Sequence, residues 1–140
     1  MRFMVMVKAT KSTEAGEMPT EAQLAEMGRF NEDMVKAGVM LSGEGLHPSA
    51  KGARIRFSEA GASVVDGPFP AANGSLVCGF WLIETATRED AIAWMKRAPF
   101  APGDELELRQ VFEAEDFGEA FTPELREQEE RLRAEVAARR

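Results

Sequence analysis

Ser75-Leu76-Val77-Cys78-Gly79-Phe80-Trp81-Leu82-Ile83-Glu84 reads as the longest strand of the chain, and Thr87-Arg88-Glu89-Asp90 follows with helix-capping spacing. The helix that starts there turns Ala91, Ile92 and Met95 inward and stops before Pro99. Glu105 to Phe112 alternates charged and apolar residues, as a half-buried strand does, which completes one β-α-β unit. Upstream, Arg54-Ile55-Arg56-Phe57 and Ser63-Val64-Val65 flank a turn-forming segment and predict a hairpin. Val39 to Leu46 is a strand weakened by Gly43 and Gly45, which mark a bulge, a bend or a close approach. Before it, Thr20 and Gln23 have capping-box spacing, and Leu24, Met27, Phe30 and Met34 share one face of a helix ended by Gly38. Lys11 to Pro19 reads as a loop. Phe3 to Val7 is a first strand, with Phe3, Val5 and Val7 on one face and Met4, Met6 and Lys8 on the other.

The expected fold is therefore α+β: a ferredoxin-like split βαβ with an inserted β-hairpin and a C-terminal helix. Two helices cover only one face of such a sheet, so a second subunit is expected on the other, making a homodimer. Residues 1–120 form the expected α+β domain. Residues 121–140 form an amphipathic helix, begun by Thr122-Pro123-Glu124, whose narrow stripe of Phe121, Leu125, Leu132 and Val136 suits a dimer arm. The alternative for this helix is to cover an edge of its own sheet.

Composition removes several classes of function. The chain of 140 residues carries 17 Lys plus Arg against 24 Asp plus Glu, a net charge of −7, which argues against a nucleic-acid partner. One cysteine excludes an internal disulfide, and one histidine beside it makes a zinc site of His/Cys type implausible; no metal is expected. No apolar run is long enough for a membrane span, and no cleavable leader pattern stands at Met1, so the expected location is the cytoplasm. Gly43-Glu44-Gly45 lacks the third glycine and following helix of a nucleotide fingerprint, and no cofactor is expected.

Several side chains can carry chemistry, each with a plainer role beside it. Asp66 ends a β-branched strand before Gly67-Pro68, where a carboxylate can serve as a base at a pocket rim or simply close an Asx turn. His47 is the sole imidazole and is held extended by Pro48; it can exchange a proton near neutral pH or sit exposed in a loop. Glu44 lies between two glycines that suit either a ligand's approach or a bulge. Arg54, Arg56 and Arg109 can bind an anion, and strand parity sends Arg109 away from the helices; a cross-strand ion pair is the alternative. Trp81 and Phe80 point to opposite faces, lining a pocket or a dimer contact. Cys78, in an apolar strand, reads as buried and inert.

Asp66-Gly67-Pro68-Phe69 forms an ordered set with the Met-rich first strand, Gly43-Glu44-Gly45-Leu46-His47-Pro48, Lys51-Gly52-Ala53-Arg54, Gly79-Phe80-Trp81-Leu82-Ile83 and Glu107-Leu108-Arg109-Gln110-Val111-Phe112. In this set the chain resembles the YCII-related family, in its longer DGPF subgroup. The resemblance implies a dimeric α+β barrel. It also implies a small enzyme acting on ring compounds through a His and Asp acid–base pair, here His47 and Asp66. Glu44, Arg109, Trp81 and Phe69 are the expected substrate contacts. The corresponding activity is cofactor-independent acid–base chemistry, of isomerase or lyase type, on a small ring or carbonyl compound. A second implication is a non-catalytic ligand-binding or regulatory protein, partner to a sigma factor. After Phe69 the chain departs from the subgroup, with Pro70 to Ser75 in place of an Ala-Glu-Thr-Lys-like stretch.

Overall fold

The computed structural model describes residues 1–71 and 74–139. Ala72 and Asn73, within the turn-rich stretch that departs from the subgroup pattern, and Arg140, the last residue of the expected C-terminal helix, lie outside the described residues. The chain forms two compact units, residues 1–110 and 111–140.

In the first unit the elements run β1 (Arg2–Lys8), α1 (Lys11–Glu14), α2 (Glu21–Lys36), β2 (Met40–Gly45), β3 (Ala53–Ser58), β4 (Gly61–Asp66), β5 (Val77–Glu84), α3 (Arg88–Met95) and β6 (Leu106–Gln110). Four strands pair antiparallel in the order β2-β5-β1-β6, while β3 and β4 form a separate two-stranded ribbon. Without that hairpin, β-α-β-β-α-β connectivity and this strand order are the ferredoxin-like arrangement, so the α+β expectation holds.

Register puts each residue on its face. Val5 opposes Trp81 and Leu108, and Phe3 opposes Ile83 and Gln110, so one face carries Phe3, Val5, Trp81, Ile83 and Leu108. Phe30 and Met34 of α2 and Ala91 and Met95 of α3 close over that face, and with Val39 they make the buried core. Both helices start where the sequence says. Thr20 Oγ1 accepts the Gln23 N–H at 3.2 Å while Gln23 Oε1 accepts the Thr20 N–H at 2.9 Å, and Thr87 Oγ1 accepts the Asp90 N–H at 3.1 Å. The opposite face carries Met4, Met6, Phe80, Leu82, Glu107 and Arg109, and Met4 is 36% exposed.

Two details differ from the sequence reading. The stretch from Lys11 contains the single-turn α1, because Thr10 and Thr13 cap each other's backbone N–H groups. Cys78 is half-buried rather than buried; its thiol donates to the Lys8 carbonyl at 3.8 Å, and burial pushes its pKa up. A neutral thiol remains an inert one.

The β3–β4 hairpin pairs Ile55 with Val64 and Phe57 with Ala62 on one face, and that face is bare: Phe57 is 83% exposed. The second unit holds α4 (Pro123–Ala138), which Thr122 caps by accepting the Leu125 N–H at 3.3 Å. A chain of rings precedes it, Phe112 to Phe117 at 5.0 Å and Phe117 to Phe121 at 5.4 Å. Leu125, Leu132 and Val136 of its stripe are exposed.

Candidate functional site

Three glycines shape the helix-side surface where β2 ends and β5 begins. Gly43 opposes Trp81 and Gly45 opposes Gly79, so three of these four helix-facing positions present no side chain to α2. A Cβ on Gly43 would lie 2.7 Å from Trp81 Cδ1, so the indole occupies that space. A Cβ on Gly45 would meet nothing within 4 Å. The unfilled volume is a cavity of about 390 Å³ lined by Val7, Pro19, Met27, Asn31, Cys78, Trp81 and Phe100, together with Glu44, Phe80 and the three glycines. That size and an aromatic wall with few polar groups fit a small organic ligand.

Trp81 is the fixed wall. Phe30 and Phe100 meet it edge-on at 5.8 and 6.2 Å, and its Nε1–H donates to Asn31 Oδ1 at 3.0 Å. Asn31 and Met27 stand one turn apart on α2, which places both over the glycine floor. Glu44 also lines the cavity, although its pairing with Phe80 sends its side chain toward the opposite face.

A second cluster surrounds Asp66-Gly67-Pro68-Phe69, and its parts join through Ser49. The Ser49 N–H and Oγ–H both donate to the Glu14 carboxylate, at 2.9 and 2.5 Å, and Ser49 Oγ accepts the Phe69 N–H at 2.9 Å. Those bonds hold the Glu14 pKa below the usual glutamate value. Gly67 N–H donates to the Gly52 carbonyl at 2.9 Å, and a Cβ on Gly67 would lie 1.8 Å from the Ser49 carbonyl oxygen. Only glycine fits there. Arg54 stacks over the Phe69 ring at 3.9 Å, so one of the candidate anion-binding arginines is engaged with an aromatic face.

The expected site residues thus fall into separate places. Trp81 and Glu44 line the cavity. Phe69 lies under Arg54. His47 and Asp66 are both exposed, and among the described residues neither side chain makes a hydrogen bond or ion pair. The turn after His47 nevertheless abuts the turn after Asp66, through the Ser49–Gly67 contact. Arg109 is on the open face, where Glu107 binds it at 3.3 Å and Lys8 from the neighbouring strand at 3.0 Å. The Lys8 hydrogen bond, with the weaker Arg109 bond, lowers the Glu107 pKa. Sequence reasoning missed Asn31, Met27 and Phe100. An asparagine one helical turn beyond Met27, on the apolar face, was the available signal.

A larger concavity of about 490 Å³, lined by Glu84, Asp90, Trp94 and Arg97 among others, is shallower and more polar. Among the described residues no three His, Cys, Asp or Glu side chains converge as metal ligands, and no helix is long and apolar enough to cross a membrane.

A ferredoxin-like α+β sheet with a one-sided helix layer, an inserted hairpin and a glycine-floored cavity defines the structural class. The YCII-related domain family matches residues 1–115, and the chain belongs to that family. No curated protein matches it in sequence.

Proposed function

We propose that the protein is a member of the DGPF branch that binds a small ring or carbonyl compound in the Trp81 cavity. The observation that carries this reading is the unfilled volume beside Gly45, walled by Trp81, Phe100 and Met27. The glycines leave an apolar concavity with an aromatic wall open at the surface, and such a site is suited to a ligand. The chemistry we assign to it is cofactor-independent proton transfer by His47 and Asp66. Support for the pair comes from position. His47 follows Gly45, which lines the cavity, by two residues, and the turn after His47 touches the turn after Asp66 through the Ser49–Gly67 contact. The reading also takes the protein as a homodimer in the cytoplasm, the second copy covering Met4, Met6, Phe80 and Leu82 on the open face.

Thermal shift with a panel of small aromatic aldehydes, ketones and carboxylates tests the reading. A ligand at ten times its Kd contributes about 1.4 kcal/mol, a rise of roughly 5 °C for a chain of this size. Gly45→Val, which fills the cavity, should abolish the shift. Asp66→Asn and His47→Gln should leave binding intact and abolish turnover of the compound that binds. A panel that gives no shift, or a shift that survives Gly45→Val, refutes the site.

A further inference from the structure

Asn31 meets the cavity with an amide whose orientation its neighbour dictates. The Trp81 indole nitrogen can only donate a hydrogen bond, so the Asn31 atom 3.0 Å from it must be the oxygen. That leaves the Asn31 NH₂ group with two N–H donors and, among the described residues, no protein acceptor. The same side chain lines a cavity whose helix-facing side chains, Val7, Met27, Trp81 and Phe100, offer no further hydrogen-bonding group, the indole N–H being already used. Glu44 and Cys78 also line it, but their strand register turns both side chains to the other face of the sheet, and the Cys78 thiol donates to the Lys8 carbonyl. The polar demand of the pocket is therefore one-sided. A ligand that brings an oxygen acceptor satisfies an amide that would otherwise lose its water, whereas an apolar compound of equal shape leaves that amide unpaired.

We propose that Asn31 makes the cavity selective for compounds presenting a carbonyl-type oxygen over apolar compounds of the same outline, with Trp81 fixing the amide that does the selecting. This rests on the cavity being the ligand site, and it names the feature that site recognises. Asn31 is a specificity residue in this reading, and proton transfer remains with other groups.

Acetophenone and α-methylstyrene provide the test, since they differ by C=O against C=CH₂ and little else. Their Kd values would be measured by titration, following the Trp81 indole ¹H–¹⁵N resonance, which also reports whether each variant is folded. In the unaltered protein acetophenone should bind about fivefold more tightly, the worth of one neutral hydrogen bond. Asn31→Asp keeps an acceptor for the indole but has no donor at neutral pH, and Asn31→Leu has neither; both should bring the ratio to about one. Gly45→Val should abolish binding of both probes. Equal binding in the unaltered protein, or a preference that survives in Asn31→Leu, overturns the selectivity while leaving the cavity as a binding site. Failure of both probes to bind at millimolar concentration overturns the cavity reading and the selectivity with it.

Discussion

Replacing Gly67 with alanine should be among the most damaging single-methyl additions in this chain. The new Cβ would lie 1.8 Å from the Ser49 carbonyl oxygen and 2.7 Å from its carbonyl carbon. Both obstacles are backbone, so no rotamer change relieves the clash; the two turns must separate by more than an ångström. Separation strains or breaks the Gly67 N–H bond to the Gly52 carbonyl and the Phe69 N–H bond to Ser49 Oγ, each 2.9 Å long. Two hydrogen bonds at about 1 kcal/mol each, with at least 1 kcal/mol for overpacking, give a loss of about 3 kcal/mol. For a domain of this size the melting temperature would fall by roughly 10 °C. Urea denaturation gives the global value, and hydrogen exchange at the Gly67 and Phe69 amides shows whether the turn opens on its own. The hairpin beside it is almost wholly exposed, so those two amides should lose protection before the core strands do. Ser49→Ala supplies the cross-check: once Gly67→Ala has parted the turns, removing Ser49 Oγ should cost little more, giving a strongly non-additive double mutant. A Gly67→Ala protein within about 0.5 kcal/mol of the original, with Phe69 still protected, would refute the reasoning.

Further expectations follow from the same contacts. Because Ser49 holds the Glu14 pKa below its ordinary value, the stability Glu14 contributes is present above about pH 4.5 and is lost as pH falls through the lowered pKa; Glu14→Gln should flatten that part of an acid-denaturation curve, and an unchanged curve would count against the link. The proposed homodimer predicts that the unaltered chain sediments as a dimer and that Leu82→Glu, on the open sheet face opposite Met4, sediments as a monomer with helix content preserved by circular dichroism; a monomeric unaltered chain would refute it. Met34→Ala, which empties a fully buried position against the sheet, should lower unfolding free energy by about 2–5 kcal/mol in urea titration.

The alternation of Phe3, Val5 and Val7 with Met4 and Met6 was enough to assign the faces of β1, and the caps at Thr20 and Thr87 located the two helices that cover the sheet. Those signals are local, and local signals survive in a sequence. α1 left none, since Lys-Ser-Thr-Glu has no apolar stripe; one turn forms there through reciprocal Thr10–Thr13 caps, and its Glu14 is anchored 35 residues away on Ser49. The site was half legible for the same reason. Trp81 announces itself as a large aromatic in the central strand, whereas Asn31 acquires its meaning only when α2 crosses β5 and the indole turns its amide.

The glycines show most clearly what a motif can and cannot say. Gly43 and Gly45 suggest a bulge or a close approach; both pair in regular register, the slip lying upstream between Met40 and Ser42, while the indole fills the space beside Gly43 and leaves that beside Gly45 open. In Asp66-Gly67-Pro68-Phe69 the carboxylate draws attention as a candidate base, yet the contacts that tie the segment to the rest of the unit come from Gly67 and Phe69. Four linked groups, the Glu14 carboxylate, Ser49, the Phe69 backbone and the Arg54 guanidinium stacked on the Phe69 ring, join α1, the turn after β2 and the hairpin. A base at position 66 needs that scaffold to hold its strand end in place, so loss of activity on altering Gly67 or Phe69 would report displaced architecture. Only Asp66→Asn, which keeps the backbone and changes the charge, isolates the chemistry assigned to the carboxylate.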